Sequence, residues 1–302
     1  MEYETAGDPM TSLKWTRKTT EKIARELTKL GIDVCAKTVG RLLKELGYSL
    51  KVNHKKNAAG SGEDRNEQFE QIASHRQRCA GQKTPVISVD TKKKEWVGNF
   101  KNPGAAWNKK AVAVNDHDFR SQGSGMAAPY GIYDLQANRG SVFVGTSHDT
   151  PQFAVASIEK WWRYDGQRRY SNAHDLLILA DCGGSNGYRC RAWKYELQQF
   201  SNRHHLTITV SHYPPGASKW NPIEHRLFSE ISKNWAGHPL ENLETIKNYI
   251  STTATTTGLS VKAYIDSKDY AKGIKISDTQ MTQLNIKTLD ILPMWNYTIS
   301  PS

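Results

Sequence analysis

The sequence has no apolar run near the roughly 18 residues that a membrane span requires, so it reads as free of membrane-crossing helices. Its opening residues, MEYETAGDPM, are acidic and lack the apolar stretch of a secretory signal, which points to a cytoplasmic protein. Cysteine is scarce. Cys35, Cys79, Cys182 and Cys190 form no C-x-x-C pair, and no matching histidine spacing completes a zinc site, so free thiols are expected. Internal repeats and long low-complexity tracts are absent, and so is the G-x-x-x-x-G-K-[ST] loop of nucleotide-binding enzymes. Aromatic residues are plentiful. With 9 Trp, 13 Tyr and 7 Phe in 302 residues there is ample core material, which excludes wholesale disorder. A chain of this length suggests two domains, one of them large.

Charge of one sign dominates. Lys and Arg total 41 against 30 Asp and Glu, a net charge of +11 that favours a polyanionic partner. The excess is concentrated near the start: twelve basic and five acidic residues lie between Asp8 and Lys56. Within that stretch the spacing of Ile23, Leu27 and Leu30 predicts a helix over 16–30, stopped by Gly31. A second helix fits 36–46, with Val39, Leu42, Leu43 and Leu46 as its apolar stripe and Gly47 beyond it. Two short helices joined by a Gly-containing turn make a helix-turn-helix, or else an ordinary helical hairpin with a solvated basic face. In the first case Lys37, Thr38, Arg41 and Lys44 would face phosphates and base edges.

Residues 52–64 read as a linker, followed by a helix over 65–79. From Pro85 onward apolar strands and amphipathic helices alternate. PVISVD, KEWVGNF, AAPYGIYD, GSVFVGT, DLLILAD and LTITVSHYP read as strands, and AVAVNDHDF as an extra strand or a loop. Helices are expected over 151–163, 187–202 and 221–235. The order predicts an α/β layer architecture with a mixed sheet.

Two of these strands end in an acid, Asp90 and Asp181, and Glu224 lies one turn into the helix that Pro222 opens. Strand ends are where open α/β sheets keep their sites. Three carboxylates from separate elements suit hard cations, which take oxygen ligands and can clamp a phosphodiester for in-line attack. Taken singly, each acid is equally a turn residue or a helix cap. Beside Asp181, Gly183 and Gly184 allow close backbone approach, and Ser185 and Asn186 offer polar contacts. Lys92, Lys93 and Lys94 follow Asp90 after Thr91 and suit phosphate contact or a solvated strand, and His225 adjoins Glu224 and suits DNA contact or the surface. Asp149 or Thr150 reads as the cap of the 151–163 helix, Trp161 and Trp162 as core, and Trp220 as packing or a base-stacking platform.

The blocks SVDTKKKE, PYGIYDL, ADCGGSNGYR, HYPPGASKWNPIEHRLFS and MWNYTI, together with GDPMTSLKWTRKTT and TVGRLLKELGYS, resemble the Rhodopirellula-type DDE transposases of bacterial insertion sequences. The N-P-I-E motif is also similar to that of mariner-like transposases. The resemblance implies a ribonuclease-H-like mixed sheet flanked by helices, over 85–302, behind a small all-α helix-turn-helix DNA-binding region over 1–58, with a linker and connecting helix over 59–84. It implies that Asp90, Asp181 and Glu224 hold two Mg²⁺ or Mn²⁺ ions. It also implies DNA as partner, both transposon ends and target, and action as a homo-oligomer in the bacterial nucleoid. The family usually has Gly where this chain has Cys182, and its longer members carry further helical sequence before the GDPM block. Transposition is the expected activity. The rival readings are a resolvase or ribonuclease on the same fold, and a shortened element that binds transposon ends without cutting them.

Overall fold

The structure, a computed structural model, describes residues 5–7, 14–16, 18–50 and 63–302. The chain divides into two compact units, Met1–Asn57 and Ala58–Ser302. In the first, strands β1 (Thr5–Gly7) and β2 (Lys14–Thr16) pair antiparallel. Helix α1 (Thr20–Lys29) follows, and the Thr19 hydroxyl caps it by accepting from the Lys22 N–H at 3.3 Å. Because Thr16 belongs to β2, this helix starts later than its apolar spacing suggests. Helix α2 (Ala36–Glu45) packs against it, burying Ile23, Ala24 and Val39 with Leu27, Val34 and Leu43 alongside. Leu30, Leu42 and Leu46, expected in the apolar stripes, are exposed instead, since a crossing of two helices covers only the side chains at the contact. The expected linker lies outside the described residues except for its last two positions, which begin the next helix.

In the second unit, helix α3 (Glu63–Gln82) is no mere connector. Its Ile72 and Cys79 are buried against Val86, Leu177, Leu179 and Tyr213 of the sheet region. The sheet contains β3 (Val86–Thr91), β4 (Glu95–Val97), β5 (Gly125–Asp134), β6 (Arg139–Gly145), β7 (Asp175–Ala180), β8 (Thr207–His212), β9 (Ser260–Asp266), β10 (Ile286–Thr288) and β11 (Asn296–Ile299). Its order is β10-β11-β8-β7-β3-β5-β6-β9, with β4 paired to β5. The pairs β3–β5 and β5–β6 are antiparallel, and β3–β7 and β7–β8 are parallel. A central run of three antiparallel strands followed by two parallel ones is the ribonuclease-H-like arrangement.

Period-two alternation along β3 sends Ile87 and Val89 to one face and Val86 and Ser88 to the other. Helices α4 (Pro151–Trp161) and α6 (Arg191–His204) cover the first face through Phe153, Ile158, Trp161, Trp193 and Leu197. The short α5 (Gln167–Arg169) lies between them in the chain. Helices α7 (Ser229–Asn234) and α8 (Leu243–Ser251) cover part of the second face, with Leu227, Ile231, Ile246 and Ile250 on Tyr133, Val142 and Val144. Helix α9 (Asp278–Thr282) precedes β10 and is closed by a Ser277–Gln280 capping box.

Three local readings change. AVAVNDHDF is an exposed loop, because β4 rather than this segment pairs with the start of β5. The helix expected from Gly187 starts at Arg191, since the chain first makes a turn in which the Cys190 N–H donates to the Gly187 carbonyl at 2.9 Å. The helix expected over 221–235 opens with a π-turn at Glu224–Phe228 before α7. Trp161 and Trp162 are buried, as expected of core residues, and the cysteines are free thiols. No helix among the described residues is long and apolar enough to cross a membrane.

Candidate active site

Asp90 lies near the end of β3, and Asp181 is the first residue after β7. These strands are parallel neighbours with Ser88 opposite Leu179, so both acids emerge at the same sheet edge, side by side. Glu224 comes from a third element, the π-turn ahead of α7.

The approach of Glu224 is set by buried contacts to β3. The Ser88 hydroxyl hydrogen-bonds the Asn221 side-chain oxygen and accepts from the Ile223 N–H at 3.1 Å. The Asn221 amide donates to the Val89 carbonyl at 3.3 Å, and the Asn221 carbonyl accepts from the Glu224 N–H at 3.0 Å. Two glycines make room beneath. A side chain at Gly131, the register partner of Asp90, would meet Phe228 at 2.5 Å, and one at Gly140 would meet Leu227 at 2.5 Å. Asn221 is wholly buried, so truncating it leaves polar groups of β3 without partners. We expect Asn221→Ala to lose about 1–3 kcal/mol of stability in a urea melt and to loosen Glu224.

The three acids form one electrostatic cluster. Burial, reinforced by the charges of Asp181, Glu224 and Asp149, pushes the Asp90 carboxyl up to about 8. Burial and the charge of Glu224 also raise Asp181, although the Gly183 N–H donates to its Oδ1 at 3.3 Å. Burial raises Glu224, with the Lys92 ammonium and an Asp90 carboxyl within hydrogen-bonding reach working against it. Asp90 lacks such a cation and rises furthest. Crowded, partly desolvated carboxylates of this kind are deficient in positive charge.

Two clefts meet at this cluster. One, of about 230 Å³, is lined by Asp90, Asp181, Asp149, Gly183, Gly184 and Asn186 and by the three successive lysines. The other, of about 430 Å³, is lined by Glu224, Lys92, Lys93, Asn102, Ser232 and Trp235 among others. Lys93 is exposed and borders both. Lys92, expected at phosphates, is instead buried: its ammonium pairs with Glu95 at 3.1 Å and lies 4.4 Å above the Trp235 ring. Lys92 is held beside β5 by its N–H bond to the Pro129 carbonyl at 2.9 Å, while Lys93 and Lys94 lie in the exposed connection to β4. Asp149 does not cap α4; Thr150 does, and Asp149 faces the cleft, accepting from the Thr91 hydroxyl at 3.1 Å and pairing with Lys94 at 3.6 Å.

His225 is exposed, with Nδ1 3.1 Å from the Lys219 carbonyl. Trp220 is half exposed and meets Phe69 edge-on. In the first unit, Lys37, Arg41 and Lys44 are exposed on α2, Arg41 in an ion pair with Glu45 at 2.6 Å, while Thr38 is half-buried beside the Cys35 thiol at 3.3 Å. Cys182 donates its thiol to the Tyr213 carbonyl at 2.9 Å, and burial pushes it up to about 12, so it stays protonated.

Sequence reasoning missed Ser88 and Asn221 as the pair that docks Glu224. Asn221 had a signal, as a cap-type residue three positions before the acid; Ser88 had none.

Among the described residues, no three His, Cys, Asp or Glu side chains already surround one point as ligands of a single ion. The donor set nonetheless fits a hard cation. Mg²⁺ takes only one or two protein carboxylates and completes its shell with water and phosphate oxygens, and Asp90 is a close neighbour of both Asp181 and Glu224.

A protein-family model described as the Rhodopirellula transposase DDE domain matches residues 1–301. No curated protein matches the chain. Among solved structures, the chain is similar to the Mos1 transposase paired-end complex with left transposon end, at 13% identity and a TM-score of 0.45, covering 77% of this chain and 65% of that one. It is similar to the Mos1 mariner paired-end complex with Mn at 15% identity and a TM-score of 0.45, with the same coverage of 77% and 65%. The mariner Mos1 paired-end complex with Mg follows at 12% identity and a TM-score of 0.43, again covering 77% and 65%. The chain thus spans slightly under two thirds of those chains.

Proposed function

Because this chain belongs to the Rhodopirellula transposase DDE domain family, we propose that it cuts DNA at the ends of an insertion sequence and joins the freed ends to target DNA. The observation that carries this reading is the gathering of Asp90, Asp181 and Glu224, from three separate elements, into one cluster short of positive charge. Asp90, Asp181 and Glu224 would hold two Mg²⁺ or Mn²⁺ ions. Bound there, the ions would supply an activated oxygen nucleophile and neutralise charge on the leaving oxygen.

The chain's own groups do the rest. Lys92 counters, from within the protein, the rise that burial imposes on the Glu224 carboxyl. Lys93, bordering both clefts, meets the phosphodiester from solvent. Gly183 and Gly184 leave the cleft floor free of side chains, so the strand can approach the backbone. Both steps are in-line transfers between oxygens: the P–O bond to the 3′-oxygen breaks as water attacks, and the freed 3′-hydroxyl then attacks a target phosphorus, whose bond to its own 3′-oxygen breaks as that oxygen leaves and takes up a proton.

Lys37, Thr38, Arg41 and Lys44 on α2 would read the transposon end, with Arg41 giving up Glu45 for DNA. The test is incubation of the full chain with Mg²⁺ and DNA carrying the element's ends. Nicking at the ends and joined products are expected. Binding without cleavage would instead favour a protein that only holds the ends, and equal cutting of RNA–DNA hybrids would favour a ribonuclease. Replacing Lys37 and Lys44 together by Ala should weaken end binding and lower the slope of log affinity against log salt by roughly 2.

A further inference from the structure

Asp181 is fixed at two places. Its carboxylate accepts from Gly183, and its backbone carbonyl faces the ring of His212, the last residue of β8, at 2.8 Å from Nδ1. His212 lies opposite Ala180 in the β7–β8 register, so its ring sits beside the peptide that carries Asp181. The ring is wholly buried, and its other nitrogen, Nε2, is 3.1 Å from the Tyr297 hydroxyl on β11. The indole N–H of buried Trp193, on α6, donates to that same hydroxyl at 2.9 Å.

These contacts determine where the protons lie. An indole nitrogen only donates, so Tyr297 oxygen accepts from Trp193 and directs its own proton elsewhere. A carbonyl only accepts, so the His212 nitrogen facing Asp181 must carry hydrogen. Nε2 then accepts from Tyr297, and every group in the chain Trp193–Tyr297–His212–Asp181 is satisfied with a neutral ring. Complete burial and the nearby Lys194 ammonium, 5.0 Å from the Tyr297 ring, both disfavour a charged imidazole. The backbone of His212 is held as well: its N–H donates to the Trp295 carbonyl at 2.9 Å, and its carbonyl accepts from buried Gln68 at 2.8 Å. The ring therefore cannot follow the Asp181 peptide if that peptide turns.

We propose that His212 is the positioning residue for Asp181: locked as the Nδ1–H tautomer by Trp193 and Tyr297, it grips the Asp181 carbonyl and fixes the peptide from which that carboxylate projects. Its consequence for metal binding rests on the reading of Asp181 as a ligand; the tautomer does not. The orientation of a ligand by a hydrogen-bonded neighbour behind it is commonly worth 10–100-fold in metal affinity.

Two measurements on the full chain test this. Nitrogen-15 long-range correlation spectra of the unaltered protein should show His212 protonated at Nδ1, the minor form of histidine in water. Protonation at Nε2 would overturn the proposal outright. Separately, Mn²⁺ alone is titrated by electron paramagnetic resonance into two variants of like polarity. In His212→Asn the amide nitrogen stands where Nδ1 stood, and Mn²⁺ affinity should stay within about 3-fold of the parent. In His212→Gln it stands where Nε2 stood, and affinity should fall by roughly 10–100-fold. Equal losses in the two would overturn positioning. If the parent chain itself binds no Mn²⁺, the reading of Asp181 as a ligand fails, and the tautomer alone decides whether His212 holds its peptide.

Discussion

Replacing Asp181 by Asn should lower Mg²⁺-dependent cleavage of end-containing DNA by more than about 100-fold, or roughly 3 kcal/mol or more of transition-state stabilisation. The side chain keeps its size and can still accept from Gly183, but it loses the charge that a divalent cation needs. Misfolding cannot explain such a loss if melting is followed alongside. Asp181 is destabilised in its ionised form by burial and by Glu224, so the neutral amide should melt no lower than the parent in the absence of metal. Cleavage that survives unchanged in this variant would remove Asp181 from the reaction. Loss of cleavage accompanied by a lower melting temperature would mean the side chain matters to the fold instead.

A second variant should behave paradoxically. Without divalent cations, Asp90→Asn should be inactive yet more stable than the parent at alkaline pH. In the unfolded chain Asp90 loses its proton near 3.8, whereas in the folded, metal-free protein it retains it until about 8. Between those values the native state binds more protons than the unfolded state, so this carboxyl makes stability fall as pH rises through the window and leaves it lowest above about 8. An amide has no proton to lose. In EDTA, the melting temperatures of parent and variant should agree near pH 4 and separate by several degrees near pH 9, consistent with a difference on the order of a few kcal/mol. Adding Mg²⁺ at pH 9 should raise the parent's melting temperature and leave the variant's nearly unchanged, because the cation replaces the proton the cluster lacks. Parallel melting curves at both pH values would refute the charge deficit that underlies the functional reading. Alkaline pH should likewise favour metal loading of the parent.

The strands that bear Asp90 and Asp181 could be read from the sequence because each is a short, almost unbroken apolar run, the mark of a strand covered on both faces. Helix α4 was legible from its Pro151 start and its spacing of apolar residues. The C-terminal strands were not. β9 has a mixed pattern and β11 only four residues, and each exists because a distant partner, β6 or β8, presents an open edge to pair with. Among site residues, the acids stood out by their place at strand ends. Lys92 and Lys94 looked alike in the triplet, yet one lies buried on Trp235 and the other reaches Asp149. Asp149 and Thr150 both suited the cap of α4, and only the fold decided for Thr150.

What the amino-acid order determined by itself was local: which segments are helical or extended, where acids end strands, how basic the first fifty or so positions are, and to which family the whole belongs. Those properties depend on neighbours one to four positions apart, and side-chain periodicity expresses them directly. Only the folded chain decided that Asp90 and Asp181 share an edge, that Ser88 and Asn221 bring Glu224 to them, and that His212 stands behind one of them. Such encounters join residues 31 to 133 positions apart, for which no short-range pattern exists. They follow from parallel pairing of β3 with β7 and from the close seat that glycine provides beneath Phe228.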